Sequence, residues 1–229
     1  KNSYFISIGK FGEILKLIHN KKCKKVLFAG KIEKPKISNL KLDFKGFYYL
    51  PRIIRAFKLG DAAILKELIK ILKENKVEVI KSNYFNPELT LKKGTYTKIK
   101  PNLENLREIG FGLRYLKKLS PYNHTQAIIV RNKKVIKKES SKGTKKMIEK
   151  IIRNENKNGI LIKFPKKKQD LRADLPTIGY DTLIDCEKAN LRGIVLKSKE
   201  NICLDQKKSI NFANKNRIFI HVLWKKFLF

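Results

Sequence analysis

The stretch "QDLRADLPTIGYDT", residues 169–182, concentrates the carboxylates of Asp170, Asp174 and Asp181 in a chain with only 20 acidic residues against 54 basic ones. Carboxylates hold a hard cation such as Mg²⁺ through one or two oxygens and leave its other positions to waters and substrate phosphates. Nearby cations, Lys163 and Arg172 among them, can neutralise the charge that develops on a phosphate in the transition state. The combination suits hydrolysis of a phosphoanhydride, with Asp170 and Asp174 as candidate metal ligands.

A purely structural interpretation of this stretch stays open. Asp174 and Asp181 can cap helices, because a short carboxylate accepts the free amides of a first helical turn. Pro176 and Gly179 can build a turn. Asp181 directly precedes a predicted helix, and we expect it to cap that helix.

Two further motifs offer weaker candidates for phosphate binding. "ESSKGTKKM" places Gly143 and Thr144 at a helix start, where free backbone amides can receive an anion, although a plain helix start has the same spacing. "FAGKIEKP" places Gly30 and Lys31 directly after a predicted strand. A β-turn with a solvated lysine is the alternative for that segment.

The composition excludes several classes of function. Cys23, Cys186 and Cys203 form no CxxC pair, which argues against a zinc site and indicates a reducing compartment. No Ser/His/Asp grouping supports nucleophilic catalysis. No apolar run approaches the roughly 20 residues of a membrane span, and no signal peptide is visible.

The net charge of +34 suggests a polyanionic partner, but the basic residues are mostly lysine and are spread along the whole chain. Proteins that bind nucleic acid favour the planar fork of arginine, interleaved with aromatic residues on one surface. No nucleic-acid partner is therefore expected. A non-catalytic module that binds nucleic acid or anionic lipid stays the alternative to an enzyme, and the C-terminal "LWKKFLF" is of the kind that anchors at a lipid interface.

Apolar periodicity predicts that the first part of the chain alternates helices and strands. A helix is expected at 11–19. The segment that follows is expected to break at Pro51 and to continue from there as a helix. A further helix is expected to begin at Asp61, which would cap it. Strands are expected at 24–30 and 77–80. Loss of periodicity around Gly94 and Pro101 predicts a linker near residues 92–102.

The second part begins with a helix at 104–119 and continues with a hairpin at 125–139, a helix at 144–156 and a strand at 159–164. Another helix at 182–191 and strands at 192–198 and 218–224 follow. The fold class is therefore α/β, with a partial N-terminal α/β domain at 1–95 joined by a linker to a C-terminal α/β catalytic domain at 96–229. The strand that ends at Phe164 delivers the 170–182 loop to the carboxyl edge of its sheet, where α/β proteins bind ligands.

Several motifs together resemble the UDP-2,3-diacylglucosamine pyrophosphatases of the LpxI type, which act in lipid A synthesis. The resemblance covers nearly the whole chain and is carried by "FAGKIEKP", "YLPRIIRAFKLGDAAIL" and "GILIKFPKKKQDLRADLPTIGYDT", with support from "ESSKGT" and "NLRGIVLKS". The run Gln-Asp-x-Arg-x-Asp-Leu-Pro-Thr-Ile-Gly is long and specific.

This resemblance implies a bacterial, Mg²⁺-dependent homodimeric enzyme with its active site between the two domains. Its substrate is a lipid-linked nucleotide sugar, which it splits into UMP and the acylated sugar phosphate lipid X. The implied location is cytoplasmic, in peripheral contact with the inner face of the inner membrane. Members also have a glycine-rich segment ahead of the region matched by "SYFISIGKFGEIL", so the Rossmann-like first domain is expected to be incomplete at its N-terminus, before Lys1.

The family's functional residues carry over onto matching positions. Asp174 is the expected essential acid, for metal binding or water activation, with Asp170 second, while Gln169, Arg172 and Thr177 are expected to hold phosphate or metal-bound water. The remaining expected substrate-binding residues are Gly30, Lys31, Asp61, Gln126, Glu139, Gly143, Thr144 and Lys163. Lys142 and Lys145 stand where the family usually has acidic residues, so a family metal ligand is expected to be missing or to serve only in orienting a loop.

Overall fold

The N-terminal part of the chain alternates helices and short strands, as its periodicity predicts. Its elements are α1 (Phe11–Asn20), β1 (Lys25–Leu27), α2 (Phe44–Leu59), α3 (Asp61–Glu74) and β2 (Glu78–Ile80), with a 3₁₀ turn at Ile37–Asn39. β1 and β2 pair in parallel, and Val26 lies opposite Val79. The core between helices and strands contains Leu15, Ile69, Leu72, Val77 and Val79. A parallel pair connected through helices is an α/β arrangement.

One carboxylate stabilises the start of two helices in this part. Asp43 Oδ1 accepts a hydrogen bond from the Gly46 amide of α2 at 2.7 Å, and Oδ2 accepts one from the Glu13 amide of α1 at 2.9 Å. α1 has no cap of its own, because Lys10 makes no side-chain cap bond. Burial alone would raise the pKa of Asp43, but the amides of Gly46, Gly12 and Glu13 together lower it. Asp43 thereby ties α1 to α2.

α2 runs without interruption through Pro51, so the predicted break at this residue is wrong. Proline removes one amide donor and its ring crowds the carbonyl of the residue four positions earlier, here Phe47. Pro51 and Phe47 both lie on the exposed side of the helix, where the Phe47 carbonyl can bind water. The Asp43 cap and the packing of α2 against α3 maintain the helix despite the missing bond.

The C-terminal part builds a six-stranded mixed sheet in the order β3-β10-β8-β6-β4-β5. The strands are β3 (Gly94–Thr95), β4 (Ala127–Arg131), β5 (Lys134–Lys138), β6 (Ile160–Lys163), β7 (Thr177–Ile178), β8 (Gly193–Lys197), β9 (Ile202–Cys203) and β10 (Phe219–Leu223). β6, β8 and β10 are mutually parallel, whereas β4 is antiparallel to β6 and β5, and β3 is antiparallel to β10. β7 and β9 form a separate parallel pair.

Helices cover both faces of this sheet. They are α4 (Leu103–Lys118), α5 (Gly143–Ile148), α6 (Tyr180–Lys188) and α7 (Gln206–Lys215). α4 packs on one face through Ile109 and Leu113, and Met147, Leu183 and Ala213 from the other three helices belong to the core of the opposite face. Every residue of β6 is buried. A strand buried on both faces explains why "GILIKF" is continuously apolar except for its lysine.

Three helix boundaries differ from the prediction. α5 ends at Ile148 instead of continuing to 156, and the Asn-rich segment that follows favours turns because asparagine side chains compete for backbone hydrogen bonds. The N-cap of α3 is Gly60, so Asp61 is the first helical residue. Gly179 is likewise the N-cap of α6, so Asp181 lies in its first turn and does not cap it.

The computed structural model describes residues 3–30, 37–119, 125–167 and 169–224. The chain divides into a first unit, Lys1–Tyr84 with Asp170–Asp174, and a second unit, Phe85–Gln169 with Leu175–Phe229. Each unit combines helices with parallel strands, which confirms the predicted α/β class. The segment 92–102 is not a linker, since it contributes β3 to the second unit's sheet. Among the described helices, none is long and apolar enough to cross a membrane.

Candidate active site

Strand direction brings three predicted site residues to one edge of the second unit's sheet. β4 is antiparallel to its neighbours, so the start of β4 lies beside the ends of β6 and β5. Ala127 pairs with Lys163, and Ile128 pairs with Lys138. Gln126, Lys163 and Glu139 therefore meet at the same edge, although 37 positions separate the first two in sequence.

Glu139 is the centre of the hydrogen bonds at this edge, and its side chain is buried. Its Oε2 accepts a hydrogen bond from the Gln126 amide at 2.9 Å, and its Oε1 accepts one from the Thr144 hydroxyl. The Glu139 carbonyl accepts another from the Thr125 hydroxyl at 3.0 Å. Glu139 thus connects the start of β4, the end of β5 and the start of α5.

Lys163 is the matching buried cation, with 8% of its surface exposed. Its Nζ donates to the Thr144 hydroxyl at 2.8 Å and to the Thr177 carbonyl at 2.9 Å. The Thr144 hydroxyl consequently accepts from the ammonium while it donates to Glu139. Burying a charge is less costly when it is hydrogen-bonded, and the Thr144 hydroxyl and the Thr177 carbonyl provide such bonds to this ammonium.

Gln169 extends the same network toward the acidic motif. Gln126 Nε2 donates to Gln169 Oε1 at 3.0 Å, and the Lys166 amide donates to the same oxygen at 2.9 Å. Six predicted site residues are thereby joined by hydrogen bonds within the second unit: Gln126, Glu139, Thr144, Lys163, Gln169 and Thr177.

Asn201 belongs to this site as well, although the sequence analysis did not identify it. It is buried, and its Nδ2 donates to the Lys163 carbonyl at 3.0 Å and to the Pro176 carbonyl at 3.4 Å. Its Oδ1 accepts from the Lys197 amide at 2.8 Å, in the turn after β8. A lone asparagine in a polar turn carries no sequence signal that would distinguish it from an ordinary turn residue.

Asp170 and Arg172 form an ion pair within the first unit. Arg172 donates from Nε to Asp170 Oδ1 at 3.0 Å and from Nη2 to Oδ2 at 2.7 Å, and its backbone amide also donates to Oδ1 at 3.0 Å. The Arg172 hydrogen bonds lower the pKa of Asp170, and the carboxylate raises the pKa of Arg172 in return. The Asp174 amide donates to the Asp170 carbonyl at 3.0 Å, which places the two aspartates one helical turn apart.

The ion pair limits what Asp170 can offer a metal. A carboxylate has about four lone-pair positions, and Arg172 occupies both on Oδ1 and one on Oδ2. Arg172 therefore leaves Asp170 a single lone pair for a metal. No group of three or more His, Cys, Asp or Glu residues that would suit a metal occurs in the part of the chain that the structure describes. These residues fit an Mg²⁺ that takes one or two carboxylate oxygens here and its other ligands from substrate phosphate and water.

The other predicted residues occupy more open positions. Gly143 begins α5 with a φ of 85°, and Gly30 follows β1 with a φ of 92°. Among the described residues, no atom lies within 4 Å of where a Cβ would be at either position. Asp61 begins α3, and it belongs with Gly30 to the first unit. Lys31 lies outside the described residues.

Lys142 and Lys145, at usually acidic family positions, flank Gly143 and Thr144 and are exposed. The two side chains take no part in the hydrogen bonds described above for the Glu139 network. Their charges therefore lie near the start of α5 without replacing a member of that network.

Comparison with known proteins relates the two halves of the chain to one family. A family model of the LpxI N-terminal domain matches residues 1–89, and a model of the LpxI C-terminal domain matches residues 92–221. The curated UDP-2,3-diacylglucosamine pyrophosphatase LpxI of Caulobacter vibrioides is 30% identical over 223 residues, covering 94% of this chain and 80% of the relative. The chain therefore belongs to the LpxI family, and the prediction of a hydrolase of the pyrophosphatase class is confirmed.

Proposed function

We propose that this protein hydrolyses the pyrophosphate bond of UDP-2,3-diacylglucosamine in an Mg²⁺-dependent reaction and releases UMP and 2,3-diacylglucosamine 1-phosphate, lipid X. A water oxygen bonds to one phosphorus while the bond from that phosphorus to the bridging oxygen breaks, so each product keeps one phosphate. Family membership and the name of the Caulobacter relative support this substrate. The observation that carries the proposal is the single turn of chain that holds Asp170, Arg172 and Asp174.

Asp174 is the essential acid in this proposal, and with the remaining lone pair of Asp170 it would hold Mg²⁺. The bound ion would polarise the phosphoryl oxygens and lower the pKa of a coordinated water. Asp170 orients Arg172 through a bidentate pair that uses Nε and Nη2. The Nη1 edge of the guanidinium can then donate to a phosphate, with a geometry that a lysine would not provide.

The second unit contributes positioning residues. Lys163 directs its ammonium to Thr144 and Thr177, so we assign it the task of holding these residues in place rather than direct contact with phosphate. Glu139 holds the Gln126 backbone in the same way. Gly143, the Gln169 side chain and the first-unit residues Gly30, Lys31 and Asp61 complete the proposed substrate contacts.

The proposal extends to assembly and location. The substrate carries two acyl chains, which are poorly soluble in water and keep it in a bilayer. We therefore propose that the protein works in peripheral contact with the inner face of the inner membrane, in the cytoplasm. The resemblance to the LpxI family is the support for proposing that it works as a homodimer.

The test is product release from UDP-2,3-diacylglucosamine in detergent micelles, with UMP and lipid X measured by mass spectrometry. We expect turnover with Mg²⁺ and loss of turnover with a chelator. Asp174→Asn should lower kcat by about 10²-fold or more, the range for loss of one group that acts on the reacting water. Asp181→Asn is the matched control, because Asp181 lies in the same motif but in the first turn of α6.

The rival is a module that binds anionic ligands without catalysis. It would be favoured if the wild-type protein bound the nucleotide sugar without turnover and Asp174→Asn left that affinity unchanged. Equal rates for the wild type and Asp174→Asn would also contradict the proposal.

A further inference from the structure

The outward face of α2 is unusually apolar for an exposed helix surface. Phe44 is 88% exposed, Phe47 70%, Tyr48 67% and Leu59 74%. Soluble proteins scatter single apolar residues over their surface, whereas several on one face mark an interaction site. The face consists of Phe44, Phe47, Tyr48, Arg55, Lys58 and Leu59, which helical spacing places on one side of α2.

Most of this face lies outside the core of the first unit. The inward side of α2 contributes buried Ala56, and Arg52 binds Glu67 and Glu74 of α3 at 2.6 and 2.7 Å. Tyr48 makes an edge-to-face contact with Tyr49, with 5.0 Å between the ring centroids, but two thirds of its surface stays exposed. Apolar surface left in water is unfavourable, and a partner that covers it would remove this cost.

Charge divides the face into two halves. The aromatic residues occupy the first two turns, and the exposed Arg55 and Lys58 occupy the last two. α2 contains no acidic residue. The acid before it, Asp43, directs its carboxylate to the backbone amides of Gly46 and Glu13, so it does not offset these cations on the face.

We propose that the outward face of α2 docks on an anionic phospholipid surface. Aromatic rings insert at the boundary between head groups and acyl chains, and arginine and lysine bind lipid phosphates. A protein with 54 basic and 20 acidic residues complements such a surface in charge. The proposed function supplies only the reason for docking, because docking here would bring the enzyme to a substrate that lies in the bilayer. The docking itself does not depend on that function.

The test is sedimentation of the protein with vesicles in the absence of nucleotide sugar, so that docking and catalysis can fail separately. One vesicle is pure phosphatidylcholine, and the other contains about 30 mol% phosphatidylglycerol. We expect the wild type to bind the anionic vesicle at least tenfold more tightly. Raising the salt concentration should weaken this binding.

Two variants test the two halves of the face. Phe44→Ser/Phe47→Ser/Tyr48→Ser should reduce the partition coefficient by about tenfold or more, since the apolar contact is lost. Arg55→Gln/Lys58→Gln should reduce binding and its dependence on salt. Lys137→Gln/Lys138→Gln on β5 is the matched control for charge, because both lysines are exposed and the net charge changes equally. The control should bind within about twofold of the wild type.

Several results would overturn the proposal. The first is that the wild type does not bind the anionic vesicle. The second is that the aromatic variant binds as tightly as the wild type while its thermal unfolding is unchanged. The third is that the control variant loses as much binding as Arg55→Gln/Lys58→Gln. If light scattering shows a dimer that the aromatic variant dissociates while vesicle binding persists, the face is an interface between copies and the lipid proposal is wrong. Turnover in detergent by the aromatic variant should equal that of the wild type, which separates docking from catalysis.

Discussion

The Thr144 hydroxyl connects two buried charges, because it accepts from Lys163 Nζ at 2.8 Å and donates to Glu139. Each charge would be costly alone, since a buried ion that loses its partner is left without solvation. This single hydroxyl therefore offsets part of the desolvation cost of both charged groups. Its place at the start of α5 also links that helix to the edge of the sheet.

Thr144→Val tests this bridge, because valine keeps the shape of threonine and removes the hydroxyl. We expect the free energy of unfolding to fall by about 1–3 kcal/mol, the cost of leaving buried polar groups unsatisfied. Urea unfolding at neutral pH measures it. Thr177→Val is the control: Lys163 binds the Thr177 carbonyl, which stays, and the Thr177 hydroxyl donates to the Leu175 carbonyl at 3.1 Å. An equal loss in both variants would contradict the special role of Thr144.

At the scale of elements, the first unit depends on a cap supplied from a distance. Asp43 precedes α2 and also accepts an amide of α1, 30 positions earlier in the chain. Negative charge at a helix N-terminus is stabilising, and here two helix starts share one charge. Asp43 therefore sets the arrangement of α1 and α2 as well as the start of each.

Asp43→Ala should lower the free energy of unfolding by about 1–2 kcal/mol, toward the upper end for a cap because two helices lose it. The folded-state pKa of Asp43 is lowered, so its stabilisation is present above the unfolded-state pKa of roughly 3.9 and is lost as the pH falls through the folded-state pKa. Urea unfolding at pH 7 and at successively lower pH measures both effects. Asp181→Ala, which removes an acid from a first turn but no cap bond, should change stability much less. If the stability difference between the wild type and Asp43→Ala grew toward low pH, the role of the Asp43 carboxylate as a cap would be refuted.

A buried carboxylate on α4 lies close to the turn between β4 and β5. Asn132 and Lys133 have φ values of 51° and 55°, as the central residues of a type I′ hairpin turn require. The Glu108 side chain on α4 is only 2% exposed, and its Oε1 has no hydrogen-bond partner among the described residues. Burial raises the pKa of Glu108 and outweighs the opposing effect of the Asn132 and Lys133 amides. The ionised form is therefore less stable in the folded chain than in water.

Glu108→Gln should raise the free energy of unfolding at pH 7, because glutamine has nearly the shape of glutamate and carries no buried charge. A raised folded-state pKa means that the wild type gains stability as the pH falls through it. The advantage of the variant should therefore shrink between neutral pH and pH values near the unfolded-state pKa, about 4.3. Denaturation curves across this range give the comparison, with exposed Glu104→Gln on the same helix as control. A less stable variant at pH 7 would show that the turn needs the charge.

At the scale of the whole molecule, charge dominates. A net charge of +34 on 229 residues opposes compaction through self-repulsion. The exposed lysines of the edge strand β5 have a separate benefit, because charged edges resist pairing with other chains. The many lysines thus favour solubility and lower the stability of the folded chain.

We expect Tm to rise when NaCl is increased from about 10 mM to about 100 mM, since the Debye length shortens from roughly 30 Å to roughly 10 Å and repulsion between lysines weakens. Scanning calorimetry measures the shift. KCl at the same ionic strength should give the same Tm, which distinguishes screening from binding of a particular cation. A Tm that falls with salt would mean that attractive pairs outweigh repulsion.

The amino-acid sequence alone establishes the family, the α/β class and most elements, because a long motif and apolar periodicity are local properties of the chain. Its expected site residues include six that the structure joins by hydrogen bonds around Glu139 and Lys163. Long-range packing selects other contacts: that Asn201 holds the Lys163 carbonyl, and that Asp43 caps α1. Each of these bonds satisfies a charge or a buried polar group, and which partner is within reach depends on strand order and helix placement rather than on neighbouring residues.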